Sequence, residues 1–182
     1  MAATEHAQNI KKDTREWITS ALLELLRNKP LSKLTISEVV KKAGVSRMAF
    51  YRNYDTLEQV LERYYTPLFA DIFNKIANKK SHEQKVADLT RFFNAMTKDF
   101  QMAIEGHYTD LLYQIFKLHI TQFYDELIPF ADWTGAKRSY WIDFMSAGVF
   151  EIWLMWIKNG QKETLDEISA LIRFFHRGEP YA

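Results

Sequence analysis

The chain has 182 residues, a formal net charge of +1, 47% hydrophobic and 26% charged residues, an ordinary globular balance in a length that suggests one or two domains. It has no cysteine, which excludes disulfides, thiolate catalysis and cysteine-based metal sites. No apolar run is long enough to span a bilayer, and "MAATEHAQNIKKDTREW" lacks the apolar core of an export signal, so a cytoplasmic protein is expected. The total charge hides an asymmetry: residues 1–54 carry ten Lys/Arg against five Asp/Glu, and residues 55–182 carry fourteen against eighteen, which suggests a nucleic-acid-facing head on a body with another task.

Gly (6) and Pro (4) are scarce and long segments are periodic at helical spacing, so an all-α protein is predicted. The first helix is expected over 8–28, with Ile10, Trp17, Ile18, Ala21, Leu22, Leu25 and Leu26 as its apolar stripe and Asn28 and Pro30 ending it. In "LSKLTISEVVKKAGVS", Thr35 is an N-cap and Glu38, three residues on, completes a capping box. Ile36, Val39, Val40 and Ala43 form the apolar face of a short second helix. Gly44 supplies the positive dihedral of a turn, and Ser46 caps another short helix over about 46–52. Two short helices across a glycine turn make a helix-turn-helix. Such pairs also occur as plain core packing, so the chemistry of the second helix matters more than the spacing. Arg47, Tyr51, Arg52 and Asn53 crowd its outer side, and Phe50 is its one large apolar anchor.

Asp55 or Thr56 caps a fourth helix, whose stripe is Leu57, Val60, Leu61, Tyr64, Leu68 and Ile72, with Pro67 expected to kink it. "NKIANKKSHEQK", residues 74–85, reads as a polar joint. Helices follow at roughly 82–101, 107–128, 136–159 and 163–177, with "IPFADWTGAK" a loop and Asn159-Gly160 a helix end. The expected division is a three-helix DNA-binding domain over 1–55, linked by a helix beginning near 56, and a larger helical ligand-binding and dimerisation domain over 56–182.

Residues 14–60 resemble the DNA-binding domain of the TetR family of bacterial transcriptional regulators. "TREWI" opens the first helix, "LTISEVVKKAGVS" forms the second, "RMAFYRNY" the recognition helix, and "DTLEQVL" opens the fourth. "SAGVFEIWLMWIKNG" is similar to a stretch with a small Gly, spaced tryptophans and an Asn-Gly end in one regulator subgroup. The resemblance implies a homodimer on an operator near a promoter, and repression relieved by a small molecule in the C-terminal domain. It implies no cofactor and no catalysis. Four positions depart from the family pattern. Met48 and Ala49 replace a frequent Gly and Thr or Ser, Leu57 stands where a phosphate-binding Lys is usual, and Tyr54 replaces a common Phe. Lys33, Lys41, Lys42 and Arg52 can compensate for the lost phosphate contacts. The departures also leave open a regulator that has lost direct DNA binding and acts through a protein partner.

Phosphate contacts position a protein on DNA and base contacts specify the sequence. Thr35, Ser46 and Lys33 are assigned to phosphate, with Lys11, Lys12 and Arg15 as an arm along the backbone. Arg47 can fork onto guanine, and Met48 and Ala49 can meet thymine methyls. Tyr51 can lie along the groove wall with its hydroxyl on phosphate, Arg52 adds charge, and Asn53 and Tyr54 end the helix near the backbone. For Tyr54 a core position is expected ahead of that contact. A solvated helix face is the competing, less favoured account of Arg47 and Arg52.

Residues 55–182 hold 23 of the 27 aromatics, enough to enclose an apolar effector pocket or simply to form a core. The candidates for pocket lining are Phe92, Phe93, Met96, Phe100, Tyr113, Phe116, His119 and Trp153, so the effector is expected to be apolar or aromatic. A dimer seam is expected on the last two helices: Trp141, Met145, Gly148, Val149, Ile152 and Trp156 on one, and Leu165, Ile168, Leu171, Ile172 and Phe175 on the other. Gly148 and Ala147 allow a second backbone to approach closely, and burial within one subunit is the competing account of the seam. His107 and His119 are twelve apart and share no helix face. Asp125 and Glu126 are adjacent and point apart. With no phosphate loop or nucleophile elbow, neither a metal site nor an enzyme is expected.

Overall fold

The computed structural model describes residues 2–77, 81–127 and 135–177, and every regular element among them is helical. The elements are α1 (Ala2–Leu26), a single 3-10 turn (Leu31–Lys33), α2 (Ile36–Ala43), α3 (Arg47–Tyr51), α4 (Leu57–Ala77), α5 (His82–Ala95), α6 (Thr97–Glu105), α7 (Thr109–Leu127), α8 (Gly135–Lys158) and α9 (Leu165–Arg177). They divide into two compact units: residues 1–66 with 102–111, and residues 67–101 with 112–182. The boundary thus falls inside α4, and the turn between α6 and α7 belongs to the first unit.

The first unit is assembled from local signals. The Thr35 hydroxyl accepts from the Glu38 backbone N–H at 3.3 Å, and the Glu38 carboxylate accepts from the Thr35 N–H at 2.9 Å, a complete capping box for α2. Gly44 ends α2 at φ +67, a conformation that favours glycine, and Ser46 caps α3 by accepting from the Ala49 N–H at 3.0 Å. Ile18, Leu22 and Leu26 of α1, Val39 and Val40 of α2, Phe50, and Val60, Leu61 and Tyr65 of α4 form the core. The α6–α7 turn joins it where the Leu31 N–H donates to the Gly106 carbonyl at 2.8 Å and the Tyr65 and Tyr108 hydroxyls meet at 3.1 Å. A Cβ at Gly106 would lie 2.7 Å from the Tyr108 ring and 2.9 Å from the Met102 carbonyl oxygen, so this turn has no room for a side chain.

Lys29 donates to Glu38 at 2.6 Å, and this bond, with those from Thr35, holds the Glu38 carboxyl down to about 2. A lowered carboxylate contributes stability that is complete above its ordinary value of 4.5 and is lost as pH falls from there toward 2. The difference in melting temperature between wild type and Glu38→Gln is therefore expected to shrink across that window. A difference that stays constant to the acid end would show that the box does not depend on the charge.

The second unit packs aromatic rings. α7 and α8 run antiparallel: Tyr113 meets Phe150 at 5.1 Å, Lys117 pairs with Asp143 at 2.9 Å, and Tyr124 meets Trp141 at 5.0 Å. α5 joins α9 through Thr90 and Ser169, whose hydroxyls lie 3.3 Å apart in the interior.

Four expectations need correction. Trp17 is 54% exposed and lies off the α1 core stripe. On α4 the buried face past Leu61 is Tyr65, Phe69, Phe73 and Ile76, whereas Leu68 is exposed and Tyr64 and Ile72 are only half-buried. The doublets Tyr64-Tyr65, Leu68-Phe69 and Ile72-Phe73 fit either stripe by spacing, and in the last two the ring, with more surface to bury, takes the interior. The helix expected over 82–101 is two helices broken at Met96, beside which the Thr97 hydroxyl donates to the Asn94 carbonyl at 2.8 Å, a side-chain bond that competes with the helical ladder. The first helix starts well before residue 8 and ends at Leu26.

Candidate nucleic-acid interface and the second unit

The glycine turn and the Ser46 cap set α3 on the surface of the first unit, and Phe50, fully buried, anchors it there. The Phe50 ring lies edge-on to Tyr51 at 5.6 Å and tilted to Tyr54 at 5.8 Å. Around that anchor Arg47, Met48, Tyr51 and Arg52 are exposed and Ala49 is half-buried. Thr35, Ser46, Lys33 and Lys41 are exposed beside them. Among the described residues Lys33, Lys41, Arg47 and Arg52 have no carboxylate partner, so their charges stay available to an anionic surface. Lys42 is tied to Glu24 instead.

Asn53, expected at the DNA backbone, is buried, and Tyr54 is buried at the core position favoured for it over a backbone contact. The Asn53 side chain accepts from Arg15 Nε at 3.1 Å and donates to the Ala49 carbonyl at 2.8 Å, so it fastens α3 to α1. Tyr54 lies under the Arg63 guanidinium at 5.4 Å. Arg15 is thereby drawn from the expected arm into a supporting bond. Lys12 is exposed, and the Lys11 side chain lies outside the described residues. Leu57 is buried, so it fills the core at the position where a lysine was missed. Sequence spacing gave no signal for Arg63, which comes from the next helix.

In the second unit the expected pocket residues do come together, as a packed ring cluster. Phe93 stacks on Trp153 at 4.8 Å and 5°, and touches Phe100 at 5.5 Å and Phe116 at 5.4 Å. Met96 is buried with them, and Phe92, Tyr113 and His119 are half-buried. His119 stacks on Phe73 at 6.1 Å, and burial pushes its pKa below the ordinary value. Among the described residues three buried polar atoms have no hydrogen-bond partner: His119 Nε2, Ser146 Oγ and Trp153 Nε1.

The expected seam residues behave differently. All except Trp141 and Leu165 line an open apolar groove of about 450 Å³ along α8 and α9, which Phe144 and Met155 also edge. Trp141 packs against Tyr124 instead. Trp156 lies in the groove wall and donates through Nε1 to the Glu163 carbonyl at 2.9 Å. Among the described residues no cluster of acidic and histidine side chains could hold a metal, and no helix is long and apolar enough to cross a membrane.

Two family models match the sequence. One, of bacterial regulatory proteins of the tetR family, matches residues 18–64; the other, of a transcriptional regulator C-terminal region, matches residues 86–177, about half of the chain. No curated protein matches it. Among solved structures, a TetR transcriptional regulator from Streptococcus agalactiae 2603V shares 18% identity at a TM-score of 0.63, over 94% of this chain and 97% of that one. FadR of Thermus thermophilus, a repressor in complex with lauroyl-CoA, shares 20% identity at 0.51, over 92% and 96%. The dihydroxyacetone kinase operon activator DhaS shares 17% at 0.53, over 89% and 93%. At these identities the likeness is one of fold.

Proposed function

The chain belongs to the TetR family of bacterial transcriptional regulators, and from that premise we propose that it is a cytoplasmic, non-enzymatic repressor: a homodimer that grips a palindromic operator through its two α3 helices and releases it when a small apolar or aromatic molecule enters the second unit. The observation that carries the DNA reading is the exposure of Arg47, Met48, Tyr51 and Arg52 around a buried Phe50. Arg47 reads guanine, Met48 and Ala49 meet thymine methyls, and Tyr51, Arg52, Lys33, Ser46 and Thr35 hold phosphate. Asn53 and Tyr54 support these residues from inside. The α8–α9 groove supports an isologous interface, which would set two recognition helices about 34 Å apart, or a small multiple of that, to read both half-sites.

One observation favours a second reading: Met48, 64% exposed at the front of α3, suits an apolar protein contact as well as a thymine methyl. Selection of duplexes from a random pool with the purified dimer separates the two. The expected winner is palindromic, its affinity falls steeply with salt, and Tyr51→Ala weakens it by about ten- to a hundredfold, the worth of one hydrogen bond to a charged oxygen. If a folded dimer enriches no sequence at low salt, direct DNA reading is wrong and the protein-partner reading takes its place.

A further inference from the structure

His119, Ser146 and Trp153 lie in the ring cluster of the second unit, and the packing of α7 on α8 orders them. Phe116 meets Phe150 at 5.5 Å on one side of His119, and Tyr124 meets Trp141 at 5.0 Å on the other. Between those contacts His119 falls level with Ser146 to within about one turn. Trp153 follows Ser146 by seven residues, on the same face of α8 and about 10 Å along it. Phe150 stands between them and packs on Phe100 and Phe116.

Ser146 and Trp153 are fully buried, and their polar atoms have no partner. Folded cores ordinarily satisfy such groups, so two on one face of α8, with a third near their level on α7 and stacked on Phe73, need a cause. Trp153 shows this by contrast with Trp156, three residues on, whose indole N–H is bonded to the Glu163 carbonyl. The indole N–H of Trp153 can only donate, the Ser146 hydroxyl can donate or accept, and burial disfavours the charged form of the His119 ring. Of the described charged groups around them, Lys117 pairs with Asp143, and Lys85, 5.9 Å over the Phe123 ring, is separated from His119 by that ring and Phe73. The three groups thus offer dipoles without a counter-charge, and a buried ion would be left unpaired there.

We infer that His119, Ser146 and Trp153 are the polar contacts of the effector site, and that the effector is an uncharged, mostly apolar molecule bearing a carbonyl or amide group. The inference rests on the effector reading above and narrows it to a chemical class. The amide or carbonyl sits at the level of His119 and Ser146, and the apolar body lies along α8 toward Trp153, displacing the present packing of the Phe93, Phe116 and Phe150 rings.

Three probes of one shape test it by calorimetry on the full-length dimer: 4-phenylbutanamide, 4-phenylbutanoate and butylbenzene. The amide is expected to bind at least about tenfold more tightly than the other two. In Ser146→Ala its advantage over butylbenzene is expected to collapse while butylbenzene binding stays unchanged, and Trp153→Phe serves as the second variant if Ser146→Ala does not fold. Butylbenzene binding as tightly as the amide, the carboxylate binding tightest, or an amide preference that survives in the variant would each overturn the assignment while leaving an effector site in this core. No binding by any of the three would overturn the effector reading itself.

Discussion

Gly148→Arg is expected to yield a folded monomer that no longer holds an operator. Gly148 is exposed on α8, lines the apolar groove, and has no atom within 4 Å of where a Cβ would stand, so the single chain accommodates a side chain there. Replacing a glycine inside a helix also favours that helix by about 1 kcal/mol. The cost falls on assembly. In a two-fold interface the arginine enters the apolar groove of a second copy or meets its own symmetry mate, and an unpaired buried charge costs several kcal/mol, roughly a thousandfold or more in dimer affinity. Losing the second half-site contact then weakens operator binding by about a hundred- to ten-thousandfold. Sedimentation equilibrium and operator titration read the two effects. A variant that stays dimeric at micromolar concentration would place the dimer surface somewhere other than α8 and α9.

Phe50→Ala is expected to destroy the DNA-reading unit while sparing the second one. The ring is fully buried and is the only large apolar side chain α3 sends inward, with Tyr51 and Tyr54 against it. Truncating a buried phenylalanine costs about 3–5 kcal/mol, a large part of the roughly 5–15 kcal/mol that holds a domain together. Helical circular dichroism should show an early transition in the variant, with operator binding already lost below it and most of the signal melting as in wild type. A single unshifted transition would mean that α3 is held by something other than Phe50.

The local features around Phe50 and Gly148 are legible in the sequence. The Thr35–Glu38 box, the Gly44 turn and the Ser46 cap are made by residues at most four apart, so their chemistry is written in the local chain. The charge asymmetry between head and body is a matter of counting. The apolar seam on the last two helices was legible for the same reason: helical spacing alone assigns Met145, Gly148, Val149, Ile152 and Trp156 to one side of α8.

What spacing leaves open is which of two neighbouring apolar residues turns inward, and where a polar side chain finds its partner. Tyr64 and Tyr65 are equivalent to the helix, and only the neighbouring elements bury the second, whose hydroxyl meets Tyr108, 43 positions away. Asn53 looks like a DNA contact until Arg15, 38 positions back, arrives to bond it. His119 and Ser146 share a level only because α7 and α8 pack antiparallel. The sequence by itself determined the all-helical class, the caps of α2 and α3, the family and the apolar side of α8, because these depend on residues within one or two turns of each other. The tertiary structure alone decided which side chains reach solvent and which polar atoms remain unpaired, because burial and hydrogen bonding depend on partners brought from distant parts of the chain.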